Sequence, residues 1–438
     1  MLENSVWLLI DKLSKICPGL LVWALVARYL GPELFGVWSY AVALTTIAST
    51  VSMLGMDKLA VKELVNHESR QQITVATVIF MRIVAAVVCM IACMLIVYVT
   101  KKAEPLYLLC TGFASFTILF QSFDVVDYFY QVKHDISRTI LPKVTVFIIF
   151  CGIKAVVIWL DGGMMAFLWV SLLELPVTYG VVLLRYKKQA PLSSLLRASL
   201  PLSAQLLRQS WPLMFSSLVV VLFVKIDLLM LDYMSDPSEL ARYVAAARIS
   251  ELWYALPVVI ATAVLPGLIR TREMSYAAYL LMVERWLRLS CWLSIAIAVA
   301  ISIMAPVLIR VIYGVQYEAA ASMLMIHIWA CIPLFIMVVI VQYLFVEGKY
   351  KLFFYGNVTG LLANILINLV LIPAAGGVGA AITTVATYWI TFMVYVSFDS
   401  SGQAWVLTKT MLQPGRLYAD MKYIKAGVKV FRRRAQWL

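Results

Sequence analysis

The sequence predicts an all-α polytopic membrane protein: twelve transmembrane helices arranged as two six-helix lobes. Three observations lead there. Of 438 residues, 63% are hydrophobic and only 13% are charged, whereas soluble domains are about half apolar and about a quarter charged. No water-facing globule hides that much apolar surface, so soluble enzyme folds are excluded. Apolar segments of roughly the 20 residues that a hydrocarbon core requires recur at 6–29, 35–56, 74–99, 105–128, 139–160, 163–184, 211–233, 242–267, 287–312, 320–346, 352–373 and 378–398. Basic residues, finally, crowd into alternate connections.

The alternation sets the orientation. One set of connections and the tail carries twenty-five Lys and Arg, including Lys58, Lys133, Lys143, Arg185, Arg197, Arg270, Arg288 and Lys349. The other set carries Lys101, Lys102 and Arg310. Cytoplasmic loops are the Lys/Arg-rich ones, so both termini are expected in the cytoplasm. The net charge of +13 is thus a matter of topology and lipid contact, and no nucleic-acid partner is expected.

Each region follows from this frame. The first lobe is expected at 1–184, a cytoplasmic linker at 185–210, the second lobe at 211–398 and a basic tail at 399–438. In the tail, Tyr418, Met421, Ile424, Val428 and Phe431 recur at spacings of three and four, with Lys422, Lys425, Lys429 and Arg432 on other faces. That pattern predicts an amphipathic helix on the anionic leaflet. Trp7 and Trp211 open corresponding spans, and Tyr29-Leu-Gly-Pro-Glu-Leu matches Tyr233-Met-Ser-Asp-Pro-Ser-Glu-Leu at an offset of about 204 residues. Six spans per half give a parallel repeat with a pseudo-twofold axis along the membrane normal. Pro18-Gly19 is expected to bend the first span and to act as a hinge. Pro257, Pro306 and Pro333 are kinks of the same sort or are simply tolerated.

The seven cysteines lie in apolar runs without a CxxC pair and read as small core residues. Three scattered histidines make no metal motif, and there is no Walker A, GxSxG or HExxH sequence. No cofactor, metal or catalytic residue is therefore expected. A transport cycle without a nucleotide site has to draw on an ion gradient or on the gradient of its cargo.

The informative residues are charges at membrane depth, each costing at least about 2.5–3.5 kcal/mol. Eight are basic (Lys12, Lys15, Arg28, Arg82, Lys154, Lys225, Arg242 and Arg248) and six acidic (Asp11, Asp124, Asp127, Glu174, Asp227 and Glu251). Arg28, Arg82 and Arg242 are close enough to span ends to snorkel. Asp11 with Lys15, and Arg248 with Glu251, have intrahelical ion-pair spacing. Two roles remain open for these groups: structural glue between helices, or the lining of a hydrated cavity. A surplus of cations suits an anionic ligand, and Lys12, Lys154, Lys225 and Arg248 are the candidates to bind it. Gln121, Asp124, Tyr128 and Gln131 form one helical stripe, and Asn357, Asn364 and Asn368 another. Such groups serve either as sugar-facing hydrogen bonders or as interhelical ones. Asp124, Glu174 and Asp227 are candidates for ion coupling, since a carboxylate at depth is neutralised by taking up a proton.

Several stretches resemble the Wzx-type polysaccharide flippases of the multidrug/oligosaccharidyl-lipid/polysaccharide exporter superfamily. They are Asn4-Ser5-Val6-Trp7-Leu8-Leu9 with Asp11-Lys12, then Ala27-Arg28-Tyr29-Leu30-Gly31-Pro32-Glu33-Leu34-Phe35-Gly36, Lys225-Ile226-Asp227, and Gly376-Gly377-Val378-Gly379-Ala380-Ala381. The resemblance implies two six-helix bundles in a MATE-like V working by alternating access. It implies, as cargo, an undecaprenyl-pyrophosphate-linked O-antigen unit moved from the cytoplasmic to the periplasmic leaflet for lipopolysaccharide biosynthesis. O-antigen polymerase and the chain-length machinery would be its partners, alongside the bilayer itself. It carries over no binding residue. A drug/cation antiporter of the same superfamily is the alternative, expected to have a carboxylate-dominated cavity. A membrane polymerase or ligase would need a long outward loop, and a non-transporting scaffold has no use for buried charge.

Overall fold

The computed structural model describes residues 2–413 and 415–416, with nothing described of the side chains at 2–6, 8–13 and 15–17. Every regular element among the described residues is helical. The chain runs α1 (Leu2–Ser52), α2 (Asp57–Asn66), α3 (Gln71–Thr100), α4 (Pro105–Gln121), α5 (Val125–Val132), α6 (Ser137–Trp159) and α7 (Gly163–Tyr186). It continues through α8 (Leu200–Met234), α9 (Pro237–Leu252), α10 (Ala255–Met274), α11 (Tyr276–Tyr313), α12 (Ala320–His327), α13 (Cys331–Val346), α14 (Tyr350–Ser397) and α15 (Gln403–Thr408).

Among the described residues, ten helical stretches are long and apolar enough to cross a bilayer. Two are far too long for one crossing: α1 has 51 residues and α14 has 48, about 72–77 Å at about 1.5 Å per residue. Each is broken at a glycine of positive φ, Gly31 (φ 73°) and Gly376 (φ 54°). The two breaks turn ten stretches into the twelve expected crossings. Pro18 lies inside the first arm of α1, and the non-helical backbone at Gly31 falls between the first two expected spans. Pro32 supplies the reason, because it disfavours helical φ/ψ in the residue before it while starting a new helix well.

The chain forms two compact units. The first comprises Met1–Ala245 with Leu308–Ala320 and Asn368–Gly377; the second comprises Ala246–Val307, Ala321–Ile367 and the chain from Val378 onward. In the first unit α1 is the hub, packed against α3, α4, α6 and α8. It can be so because Ala24, Ala27, Ala41 and Ala43 bring helices close, the usual device where lipid offers no hydrophobic drive for helix association. The apolar core at the Lys-rich end gathers Met56, Val75, Val78, Phe129, Val182, Tyr186 and Leu206.

The repeat is visible in how its breaks are tied. Gly31-Pro32 in α1 corresponds to Ser235-Asp236-Pro237 between α8 and α9. Beside the first break, the Tyr29 hydroxyl donates to Asp161 (2.8 Å) and accepts from the Gly163 N–H (2.6 Å) in the α6–α7 turn. Beside the second, Glu239 accepts from the Gly377 N–H (3.0 Å), next to the break in α14. The two breaks also meet, since a Cβ on Gly36 would overlap the Pro237 carbonyl. Gly36→Ala is accordingly expected to cost about 1–3 kcal/mol by overpacking, read as a lowered unfolding midpoint in detergent, whereas Gly152→Ala, which meets no atom, should be neutral.

In the second unit α10 packs on α13. Thr383, Thr384, Thr387 and Thr391 all return their hydroxyls to carbonyls of their own helix, α14, which satisfies them where no water can. The start of the tail is anchored: Thr410 and Arg416 donate to Glu284 on α11, and Arg288 reaches the Thr410 carbonyl. Arg288 is therefore a buried helix residue and not the loop cation that its sequence neighbourhood suggests. The predicted surface helix of the tail falls at 417–438, outside the described residues.

Asp399 lies just past α14. Burial opposes its charge, yet bonds from Lys349, the Ala404 N–H and the Ser401 hydroxyl hold it below the ordinary carboxylate value. Burial also works against the Lys349 charge, but Asp399 and Tyr343 hold its ammonium above its ordinary value. A depressed acid stabilises above about pH 4 and is lost below it; a raised amine stabilises below about pH 10 and is lost above it. Asp399→Asn should therefore lower the unfolding midpoint at pH 7, with the deficit shrinking progressively as the pH is taken below about 4.

Candidate functional site

The first unit holds a polar tract among its membrane helices, built from five helices and two adjoining cavities. A cavity of about 280 Å³ lies between both arms of α1, α4, α6 and α7; Trp23, Trp38, Thr45, Gln121, Lys154 and Glu174 are in its walls. A second, of about 450 Å³, is lined by Asp124, Asp127, Tyr128, Gln131, Lys143 and Glu174. The two share Glu174 and Leu175.

The charges along the tract are joined in sets. Lys154 on α6 donates to Glu174 on α7 at 2.6 Å, with both side chains mostly buried (14% and 17% exposed). Lys143, one turn into α6, is only 10% exposed and bridges Asp124 (2.7 Å) and Asp127. Asp124 also accepts from the Tyr179 hydroxyl, and the Lys143 ammonium sits 4.7 Å from the Tyr179 ring centre. Two carboxylates against one ammonium leave this cluster with one net negative charge when all are ionised. Further along, Arg82 is 1% exposed, donates to Asp57 at 2.7 Å, and lies 5.6 Å from the ring centre of Tyr128, whose hydroxyl shares that carboxylate.

The stripe read from α4–α5 is thus brought together in space, although a turn of 3₁₀ helix at Ser122–Asp124 separates the two helices. Gln121 faces the first cavity, and Asp124, Tyr128 and Gln131 the second. Three expectations are corrected. Lys143 is a buried partner of two acids and not a loop cation. Arg82 does not snorkel, because Asp57 meets it from α2. Arg242 does not snorkel freely either: Glu239, three residues before it, accepts its guanidinium at 2.9 Å.

Other predicted residues fall elsewhere. The side chain of Lys12 lies outside those described, as do those of Asp11 and Lys15. Lys225 and Asp227 are on α8 of the first unit; Asp227 is buried and accepts from the Tyr243 hydroxyl and the Leu228 N–H. Arg248 and Glu251 belong to α9 within the second unit. Asn357, Asn364 and Asn368 are all buried, but Asn368 counts with the first unit and the other two with the second. Asn357 spends its amide on the Phe353 carbonyl and the Tyr395 hydroxyl (2.8 and 2.9 Å), bracing the two arms of α14.

At the other end of the first unit the two sequence halves are sealed together. Lys101 pairs with Asp232, whose side chain is fully buried. The Lys101 ammonium is 5.2 and 4.7 Å from the ring centres of Tyr40 and Tyr107, and the Tyr107 hydroxyl donates to Asp232 at 2.8 Å. Arg28 donates to the Arg310 and Val311 carbonyls, Gln316 to the Arg28 carbonyl and Tyr317 to the Ala27 carbonyl. Asp232, Glu239 and Asp57 are the anions that counting within predicted spans overlooked. Asp232 stands next to the repeated Tyr-Leu-Gly-Pro-Glu break, the one signal that could have marked it.

Comparison with known proteins gives a consistent family and fold. A family model described as polysaccharide biosynthesis protein matches residues 1–272. No curated protein sequence is similar by direct comparison. Among solved structures, a lipid II flippase, MurJ, in an inward closed conformation superposes with a TM-score of 0.72 at 13% identity, over 94% of this chain and 91% of that one. A multidrug resistance MATE family transporter of the MOP superfamily, inward-facing, gives 0.69 at 14% identity, over 93% and 99%. A MOP superfamily transporter from Pyrococcus furiosus gives 0.58 at 14% identity, over 93% and 96%. At such identities the likeness is one of fold.

Proposed function

The chain belongs to the polysaccharide biosynthesis protein family, and from that premise we propose that it flips a lipid-linked oligosaccharide between leaflets by alternating access. The observation that carries the proposal is the first unit's pairing of a buried polar tract with a seal between the two sequence halves at its other end. A polar cargo crossing an apolar barrier needs hydrated polar surface at depth, and alternating access needs a closure that can be undone. The positive-inside pattern supports a seal on the outward side and both termini in the cytoplasm of a bacterial inner membrane.

The cargo that fits the sequence resemblance is an undecaprenyl-pyrophosphate-linked O-antigen unit carried from the cytoplasmic to the periplasmic leaflet, handed on to a polymerase and chain-length machinery. Its head group is assigned to Lys12, Lys225 and Arg248. Lys154 joins them when its ion pair with Glu174 is broken. Asp124, Glu174 and Asp227 are the carboxylates through which an ion gradient drives the cycle. Glutamine at Lys12, Lys154, Lys225 or Arg248 is expected to lower surface O-antigen about ten-fold for each charge-assisted hydrogen bond removed, with the protein still present in the membrane. Normal surface polysaccharide from all four variants would refute the assignment.

A drug/cation antiporter is the second reading. It is favoured by the excess of one carboxylate in the Asp124–Asp127–Lys143 cluster, which suits a cation. A deletion that loses drug tolerance and keeps its lipopolysaccharide profile would establish it in place of the first.

A further inference from the structure

The cavity of about 280 Å³ in the first unit has features that ion coupling does not use. Thr45, on the second arm of α1, is 6% exposed, and its hydroxyl has no hydrogen-bond partner among the described residues. Ser171, across the cavity on α7, has a buried hydroxyl in the same condition. A buried hydroxyl without a partner costs about 1–3 kcal/mol, so two of them on residues that line one cavity are hydrogen-bonding capacity that a turn of either side chain toward the cavity offers to a ligand's polar groups. Around them stand aromatic walls: Trp23, and Trp38 held edge-on by Phe167 at 5.5 Å between ring centres.

We propose that this cavity binds one neutral pyranose ring of the saccharide cargo. A pyranose has apolar C–H faces and a rim of hydroxyls. The indole faces suit the first, and Thr45, Ser171 and the Gln121 amide suit the second, since each both donates and accepts. At about 30 Å³ per water, the volume equals about nine waters, room for a single ring and not for an oligosaccharide. The charge decides between sugar classes. Lys154 and Glu174 neutralise each other in the wall, so while that pair holds the cavity has no net charge to offer a uronate or the pyrophosphate head group.

The inference rests on the flippase reading for the cargo's being a saccharide, so its test reads binding and translocation separately. The protein in lipid nanodiscs is titrated with the methyl pyranosides of glucose, galactose, mannose and N-acetylglucosamine, and with methyl glucuronide, by saturation-transfer NMR. Saturable transfer to at least one neutral pyranoside is expected, and none to the glucuronide. Thr45→Val with Ser171→Ala should raise half-saturation about ten-fold or more for the two hydrogen bonds removed, while Thr45→Ser with Ser171→Thr stays within about two-fold. Gln121→Leu, on α4, is an independent second variant expected to weaken binding. The absence of transfer to every neutral ring, preference for the glucuronide, or indifference to these variants would overturn the inference. If lipid-linked oligosaccharide is translocated without such binding, the inference falls alone; saturable binding without translocation upholds the cavity and removes the flippase reading.

Discussion

Asp232→Ala is expected to open the end of the first unit that the structure shows closed. The substitution leaves the Lys101 ammonium buried between Tyr40 and Tyr107 with no counter-charge. Removing one partner of a buried pair costs about 3–5 kcal/mol, enough to move a conformational equilibrium by roughly two to four orders of magnitude. Ala27, fully buried beneath Tyr317, reports on this. In a background without the native cysteines, Ala27→Cys should resist a membrane-impermeant maleimide until Asp232→Ala is added, and then label readily. Lys101→Met combined with Asp232→Leu should restore protection, because apolar replacement of both members of a buried pair is often neutral or stabilising. Labelling that is unchanged by Asp232→Ala would show that the pair is not what holds this end shut.

Lys143→Met has a comparably large expected effect, on stability. It abandons Asp124 and Asp127 together in the second cavity, and one oxygen of Asp127 is already buried without a partner among the described residues. The expected loss is about 3–5 kcal/mol, visible as a sharp fall in the unfolding midpoint and in the yield of monodisperse protein. Adding Asp124→Asn and Asp127→Asn to Lys143→Met should recover most of that loss, since amides cost far less to bury than carboxylates. Should Lys143→Met unfold at the normal midpoint, the ammonium is not holding the two acids.

What is legible in the sequence depends on the physical signal each feature leaves. Twelve crossings are legible because hydropathy and helix length are set by the bilayer itself, and the Gly31-Pro32 break leaves a Gly-Pro signature. The stripe Gln121, Asp124, Tyr128 and Gln131 is legible because a helix puts spacings of three and four on one face. Partnership is not. Lys143 lies near a span end, where a flanking cation and a buried one look alike, and its identity as the bridge between two acids depends on α6 packing beside α5. Asp57 and Glu239 lie beyond span limits drawn by hydropathy, and Asp232, one residue inside the end of its span, is easily taken for a flanking charge, so a count that omits them overstates the surplus of cations. Among the described partners, Arg82, Lys154 and Arg242 are each neutralised by an acid. The unpartnered hydroxyls of Thr45 and Ser171 have no sequence signature at all, because Thr and Ser in membrane helices ordinarily bond back to their own backbone, as those of α14 do.

Whether this chain carries a lipid-linked saccharide across a bilayer is measured most directly in proteoliposomes. These contain the purified chain and polyprenyl-pyrophosphate-linked oligosaccharide, with lectin outside and an imposed pH gradient. Time-dependent exposure of the internal saccharide, faster than in empty vesicles and slowed by Asp232→Ala, is the predicted result. Exposure no faster than in empty vesicles, from protein shown to be folded and inserted, would contradict it.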